Sequence, residues 1–177
     1  MVRLYLVRHA VAEDAAEGLR FADPLRALTA RGRRRFRRSA RVFARLGEDL
    51  DLIFSSPVLR AVQTAELLAG ALRHDEVRVL DELRPDAAVP PLLARLSELE
   101  ATSVALVGHK RLLCDLAVIL AGVPLEDAER LRLKRGAIAR IDVRKLCADV
   151  SGKPRWWLGP SGESVRDGLP LEGGAER

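Results

Sequence analysis

Hydrophobic and polar positions along the chain fall into two alternating regimes. One is a set of short, nearly unbroken apolar runs: Leu4-Tyr5-Leu6-Val7, Leu50 to Phe54, Val77 to Leu80 and Ser103-Val104-Ala105-Leu106-Val107. Runs of this length without alternation predict strands buried on both faces, as in the interior of a parallel sheet. The other regime has helical spacing. Phe36, Ala40, Phe43 and Gly47 recur about a turn apart and predict a helix from Ala30 to Leu46, with its cap supplied at Leu28-Thr29. A second helix begins at Ser55-Ser56-Pro57 and runs to about Leu72, with a serine hydroxyl as the expected cap and proline suited to the first turn. Pro90 and Pro91 open a modest helix over Leu92 to Leu99, and Leu112 to Leu120 forms an apolar one. Strand, helix and strand in succession make a βαβ unit with a right-handed crossover. Ala137 to Val143 alternates and predicts a further strand, and Arg155 to Leu158 reads as a last edge strand. The whole is an α/β pattern in one domain over residues 1–158. Residues 159–177, rich in Gly, Glu and Pro, are expected to be a flexible C-terminal tail.

Bulk properties narrow the class without naming it. A chain of 177 residues can bury a core without staples, and 48% hydrophobic with 31% charged residues is ordinary for a globular domain. No run of about 18 apolar residues encodes a membrane span, and the N-terminus lacks the pattern of a secretory signal. Cys114 and Cys147 lack CxxC or metal-ligand spacing, Cys114 lies in an apolar segment as a buried thiol, and the cytoplasm is the expected compartment. The net charge of +5 raises a nucleic-acid reading. Nearly all of the basic charge is arginine, concentrated in Arg31-Gly32-Arg33-Arg34-Arg35-Phe36-Arg37-Arg38 and continuing to Arg41 and Arg45. No aromatic stacking platform interleaves with it, so the stretch reads as an apolar stripe with arginines solvated around it. No specific nucleic acid and no membrane is expected as a partner, and the remaining use for the charge is steering anionic substrates.

The candidate chemistry lies at strand ends. The first apolar run delivers Arg8 and His9 to its carboxyl end, where open α/β sheets bind ligands, and Ala10 keeps the turn narrow. The run from Ser103 ends in Gly108-His109, with glycine expected to permit close backbone approach. Arg60 falls on the first turn of the second helix, beside the positive end of its dipole, and Glu82 follows the short strand at Val77 to Leu80. Alone, Arg60 reads as a surface arginine and Glu82 as an ordinary glutamate; the shared sheet edge is what selects them. His74 lies in a polar connection and is expected to be exposed without a role. Two arginines, two histidines and one carboxylic acid suit phosphoryl transfer. Arginines hold the peripheral oxygens, a neutral imidazole attacks phosphorus, a protonated one donates to the oxygens, and an acid protonates the leaving group. No metal or other cofactor is expected, because no carboxylate cluster suited to magnesium occurs.

The set Leu6-Val7-Arg8-His9-Ala10, Ser55-Ser56-Pro57 with Arg60 and Gln63-Thr64, and Val107-Gly108-His109 resembles the histidine phosphatase superfamily, the phosphoglycerate-mutase-like proteins. The resemblance implies a three-layer α/β/α fold with a mostly parallel central sheet and an antiparallel edge. It implies His9 as phosphoacceptor, Arg8, Arg60 and His109 as the rest of the phosphate pocket, and Glu82 at the acid position. Asp23-Pro24-Leu25-Arg26-Ala27-Leu28-Thr29 and Glu82-Leu83-Arg84-Pro85 resemble the small SixA-type phosphohistidine phosphatases. The chain departs from the wider pattern at Ala10, where most relatives carry glycine, and at Lys110-Arg111, where an acidic or Asn-Pro pair is more typical. Three functions follow: a phosphatase for a phosphohistidine-bearing protein, a phosphatase for a small metabolite monoester, and a catalytically silent phosphate-binding module. Only about 20 residues separate Glu82 from the strand at Ser103, too few for a substantial lid, and an open site favours the first.

Overall fold

The computed structural model describes residues 1–14, 20–144, 151–162 and 165–168. Its centre is a sheet of seven strands: β1 Val2–Arg8, β2 Leu52–Ser55, β3 Arg78–Val79, β4 Ser103–Gly108, β5 Ile138–Val143, β6 Gly152–Leu158 and β7 Val165–Asp167. They lie in the order β3-β2-β4-β1-β5-β6-β7. The first four of that order are parallel to one another, and β5, β6 and β7 add on as an antiparallel edge.

Side chains on β1 alternate between the faces, and each face is covered by a helical layer. Tyr5 and Val7 join Ile53, Ala105 and Val107 beneath α1 (Ala30–Arg45) and α2 (Leu59–Leu72). Leu4 and Leu6 join Phe54, Val104 and Leu106 beneath α3 (Val89–Ser97) and α4 (Lys110–Ala121). Burial on both faces is why these strands read as continuous apolar runs. The result is the expected three-layer α/β/α architecture.

Local chemistry accounts for some of the helix ends. Thr29 caps α1, its Oγ1 accepting from Gly32 N at 2.8 Å, and Phe36, Ala40 and Phe43 form the buried stripe. Gly32 is obligatory there, since a Cβ would lie 2.1 Å from the carbonyl oxygen of Val11. The exposed residues of α1 include Arg31, Arg34, Arg37, Arg38, Arg41 and Arg45. Gly122, in the left-handed region, ends α4. The helix anticipated from Ser55 begins later, at Leu59, and no side chain caps it. Pro90 and Pro91 lie inside the first turn of α3 and do not precede it.

Two expectations about the C-terminal region need correction. The strand at Arg155 to Leu158 starts earlier, at Gly152, and is not the edge, because β7 pairs outside it. Packing also continues beyond Leu158 into the segment expected to be a flexible tail. Ser39 Oγ donates to Gly159 O at 3.1 Å, Arg35 Nε donates to Ser161 Oγ at 2.9 Å, and Val165–Asp167 pairs with β6. Residues 169–177 and Cys147 lie outside the described residues, while Cys114 is buried as anticipated.

Near the amino end of β1 a buried polar network ties helix, strand and edge together. Glu48 accepts from the Tyr5 hydroxyl, from Arg140 Nη1 at 2.6 Å and from Arg3 Nη1 at 3.4 Å. Asp142 accepts from Arg140 Nε and Arg155 Nε, both at 2.7 Å. Glu48 and Asp142 are only 7% and 4% exposed, so the pairing is what makes their burial tolerable. No helix among the described residues is long and apolar enough to cross a membrane.

Candidate active site

Register alone brings the two histidines together. β1 and β4 are parallel neighbours with Arg8 opposite Gly108, so the next residues, His9 and His109, leave the sheet side by side. His9 N donates to Gly108 O at 3.0 Å, and the two imidazoles lie 5.1 Å apart, centroid to centroid. Both are buried, at 8% and 7% exposure. The N-termini of α2 and α4 converge on the same edge, with Arg60 in the first turn of one and His109 as the N-cap of the other. Their dipoles add positive potential to that of the arginines.

The turn after His9 is fixed by hydrogen bonds. Ala10 N donates to Thr64 Oγ1 at 3.1 Å, and Thr64 Oγ1 donates to Arg60 O at 2.7 Å, locking the β1 exit to α2. His9 Nδ1 lies 2.8 Å from Ala10 O. A carbonyl oxygen can only accept, so Nδ1 carries the proton and Nε2 keeps its lone pair in the neutral ring. Gln63 Oε1 accepts from Leu28 N at 2.8 Å, which anchors the loop before α1. Sequence reasoning grouped Gln63 and Thr64 with the site, and these contacts are their work.

Arg8 and Arg60 are held in place but not neutralised alike. Arg8 Nη1 donates to Leu133 O at 2.9 Å. Arg60, 4% exposed and so no surface arginine, donates from Nη1 to Asp23 O at 2.9 Å and from Nη2 to Asp23 Oδ2 at 3.2 Å. Nε of each is buried without a hydrogen-bond partner. Buried donors of this kind ordinarily find an acceptor. Burial, and then the charge of Arg135, lowers the Arg8 pKa. Burial again lowers that of Arg60, against the opposing pull of Asp23.

Burial first, and then the charges of His109, Arg60 and Arg8, push the His9 pKa down to about 3, although its bond to Ala10 O pulls the other way. Burial and the Arg60 charge push His109 down to about 4, with Asp23 opposing. Both rings are therefore neutral near pH 7. Burial alone would raise the Asp23 carboxyl, but the charge of Arg60 and the bond from Arg26 outweigh it and hold the group below its usual range.

Glu82 lies in the 3-10 turn Asp81–Leu83 and is half-buried. Its neighbour Leu83 packs beside Gly108, which puts the turn at the β4 end of the site. Glu82 makes no ion pair or hydrogen bond among the described residues. His74 is half-buried rather than exposed, and its two ring nitrogens lie 2.9 Å from Glu76 O and 3.3 Å from Asp51 O, away from the site. Among the described residues no cluster of three or more His, Cys, Asp or Glu side chains is placed to hold a metal ion.

Three features were misread or missed in the sequence. Ser56 does not cap α2; its Oγ lies 3.0 Å from His109 Nε2 and orients that ring. Asp23 partners Arg60 across 37 positions, and only its place in a family-like segment drew notice. Gly108 is not demanded by close packing, since a Cβ there would meet Leu113 and Leu83 at 3.7 and 3.8 Å, ordinary contact distances.

Taken together, the site is a cationic cluster at the carboxyl ends of the parallel strands, where two arginines lie beside two neutral, buried imidazoles. Residues 4–85 match the histidine phosphatase superfamily (branch 1). The fold resembles the crystal structure of a candidate phosphohistidine phosphatase SixA from Agrobacterium tumefaciens, at 28% identity and a TM-score of 0.76, covering 90% of this chain and 98% of that one. It also resembles the protein histidine phosphatase SixA complexed with tungstate, at 25% identity and a TM-score of 0.75, covering 90% of this chain and 97% of that one. An uncharacterized protein of Picosynechococcus sp. is 34% identical over 170 residues, 89% of this chain and 99% of that protein. The chain belongs to the histidine phosphatase superfamily and is SixA-like within it. It is accordingly a hydrolase of the phosphatase type.

Proposed function

We propose that the protein removes phosphate from phosphohistidine in a protein, without a metal, through a phosphohistidine intermediate on His9. The observation that carries the chemistry is a pair of arginines, Arg8 half-buried and Arg60 buried, whose buried Nε–H groups are unpartnered, beside two neutral imidazoles. That arrangement accumulates positive charge, with Asp23 as the single counter-ion paired to it among the described residues, and it is stabilised when a multiply charged anion enters.

In the first step His9 Nε2 attacks phosphorus, the Nε2–P bond forms and the bond from phosphorus to the leaving atom breaks. Glu82 supplies the proton that the leaving atom takes up. Phosphorylation leaves the His9 ring positively charged, and the Nδ1–H bond to Ala10 O stabilises that charge. Arg8, Arg60 and His109 hold the peripheral oxygens, and the phosphoryl charge raises the affinity of His109 for a proton, so that it donates to them. In the second step water attacks phosphorus, Glu82 takes its proton, the Nε2–P bond breaks and neutral His9 returns with inorganic phosphate.

A protein-borne phosphate is favoured over a small ester by how little chain stands above this side of the site. Between Glu82 and β4, α3 is spent on the core, with Val89, Leu92, Leu93 and Leu96 buried. A small metabolite monoester is the second reading, and a non-catalytic phosphate-binding module the third. The test is rapid, acid-free quenching after mixing with a phosphohistidine protein, which should trap phosphate on His9. His9→Ala should abolish turnover while keeping the thermal transition of a folded protein, and undiminished turnover would reject the assignment.

A further inference from the structure

Two short segments beside the pocket carry exposed cations that the catalytic scheme leaves unused. Lys110 and Arg111 form the start of α4, directly after His109. Lys134 and Arg135 sit in a turn closed by the bond from Ala137 N to Lys134 O at 2.9 Å. That turn is pinned to the nucleophile strand. Gly136, at φ +84° where only glycine is unstrained, donates from N to Arg8 O at 3.0 Å and lies 3.1 Å from His9 O. Arg8 Nη1 in turn holds Leu133 O, while Leu131 and Leu133 anchor the approach to the turn in the core. The turn is therefore tied directly to the strand that carries His9.

All four cations are exposed, and none forms an ion pair with a described residue. Arg26, Arg78, Arg84 and Arg95 are by contrast paired, with Asp23, Glu76, Asp81 and Glu98, whereas the exposed arginines of α1 form, like Lys110, Arg111, Lys134 and Arg135, no ion pair with a described residue. Lys110 and Arg111 also occupy the first turn of a helix, where the dipole disfavours cations, next to a site that already holds the half-buried Arg8 and the buried Arg60. This concentration works against folding, so its benefit lies in something bound from outside. Nor do residues 110–111 or 131–137 include an aromatic side chain on which a nucleic-acid base could stack.

We propose that Lys110, Arg111, Lys134 and Arg135 form a docking rim for the acidic side chains that flank a phosphorylated residue on a partner polypeptide. The rim selects an acidic protein-borne phosphate over a small phosphoester by adding carboxylate pairs that the small ester lacks. This rests on the reading of His9 as a protein-directed phosphatase centre, and it is tested by measurements that separate the two.

The probes are two synthetic peptides of equal length with a central phosphohistidine, flanked by glutamate in one and glutamine in the other, and their unphosphorylated counterparts. Exposed ion pairs are individually weak, so four together set an expected preference of about tenfold in kcat/KM for the glutamate peptide, falling with added salt. The triple variant Lys110→Gln, Arg111→Gln, Lys134→Gln should lose that preference and hydrolyse p-nitrophenyl phosphate within about twofold of wild type. Arg135 is kept in this variant because its charge also bears on Arg8 and Arg60. Fluorescence anisotropy of the unphosphorylated peptides reads the rim without catalysis and should show the same preference and the same loss. Glutamate-selective binding without turnover of either phosphopeptide would reject the phosphohistidine reading and leave the rim standing. Equal binding and equal turnover of both peptides would overturn the rim and leave the phosphatase reading standing. Tighter binding of a 5′-phosphorylated oligonucleotide than of the glutamate peptide would overturn its assignment to a polypeptide.

Discussion

Mild acid should destabilise this protein through its two buried histidines. An unfolded histidine titrates near pH 6.5, whereas His9 and His109 in the folded protein titrate at about 3 and about 4. Between those values the unfolded chain binds protons that the folded one refuses. The stability these neutral rings contribute is thus fully present above about pH 6.5 and is lost as the pH falls toward the folded values. At pH 5 both folded rings remain neutral while both unfolded ones are charged, across about 1.5 pH units each, or about 2 kcal/mol per histidine and about 4 kcal/mol together. Both rings are less than a tenth exposed, so solvent screening takes little from that figure. Urea unfolding at pH 7 and pH 5 measures the loss directly. The same pair of measurements on His9→Asn, His109→Asn removes the two titrations while leaving the carboxylates to titrate as before. The double variant should lose about 4 kcal/mol less between the two pH values than the wild type does. An identical decline in both proteins would refute the reasoning, since the acid sensitivity would then arise elsewhere.

Other perturbations separate the remaining roles. Arg60→Ala should weaken vanadate inhibition and slow every substrate, whereas Glu82→Gln should leave inhibition intact and cost about 10²- to 10⁴-fold for an alkyl phosphate but little for p-nitrophenyl phosphate. Equal losses across a leaving-group series would remove Glu82 from the acid role. EDTA should leave turnover unchanged, and loss of activity restored by magnesium would contradict the arginine and histidine chemistry. Glu48→Ala removes the acceptor of the Tyr5 hydroxyl and one of the two carboxylates paired with Arg140, and should cost about 2–3 kcal/mol in urea unfolding; a loss below about 0.5 kcal/mol would show that the network contributes little.

Much of the site could be read from the chain because its key signals are local. A strand buried on both faces announces itself as an apolar run, and whatever follows the run emerges at the sheet's carboxyl edge. Leu4 to Val7 and Ser103 to Val107 thereby placed Arg8, His9 and His109 before any contact was known. The Thr29 cap and the Phe36-Ala40-Phe43 stripe of α1 were legible for the same reason, since each depends on residues within a few turns. What the tertiary structure decided involves partners far apart in sequence. A serine before a proline carries a local capping signal, yet Ser56 lies against His109 across 53 positions, because the parallel register of β2 and β4 sets them side by side. Asp23 reaches Arg60 from 37 positions away, and Leu133, just before the turn carrying Lys134 and Arg135, meets Arg8 from 125 positions beyond it. The strand β7 gave no run long enough to notice, and it exists because β6 offers it an unpaired edge. Hydrophobic period and end-of-strand position are properties of a short stretch of chain. Which polar groups then satisfy one another depends on register and crossover, which only the folded sheet establishes.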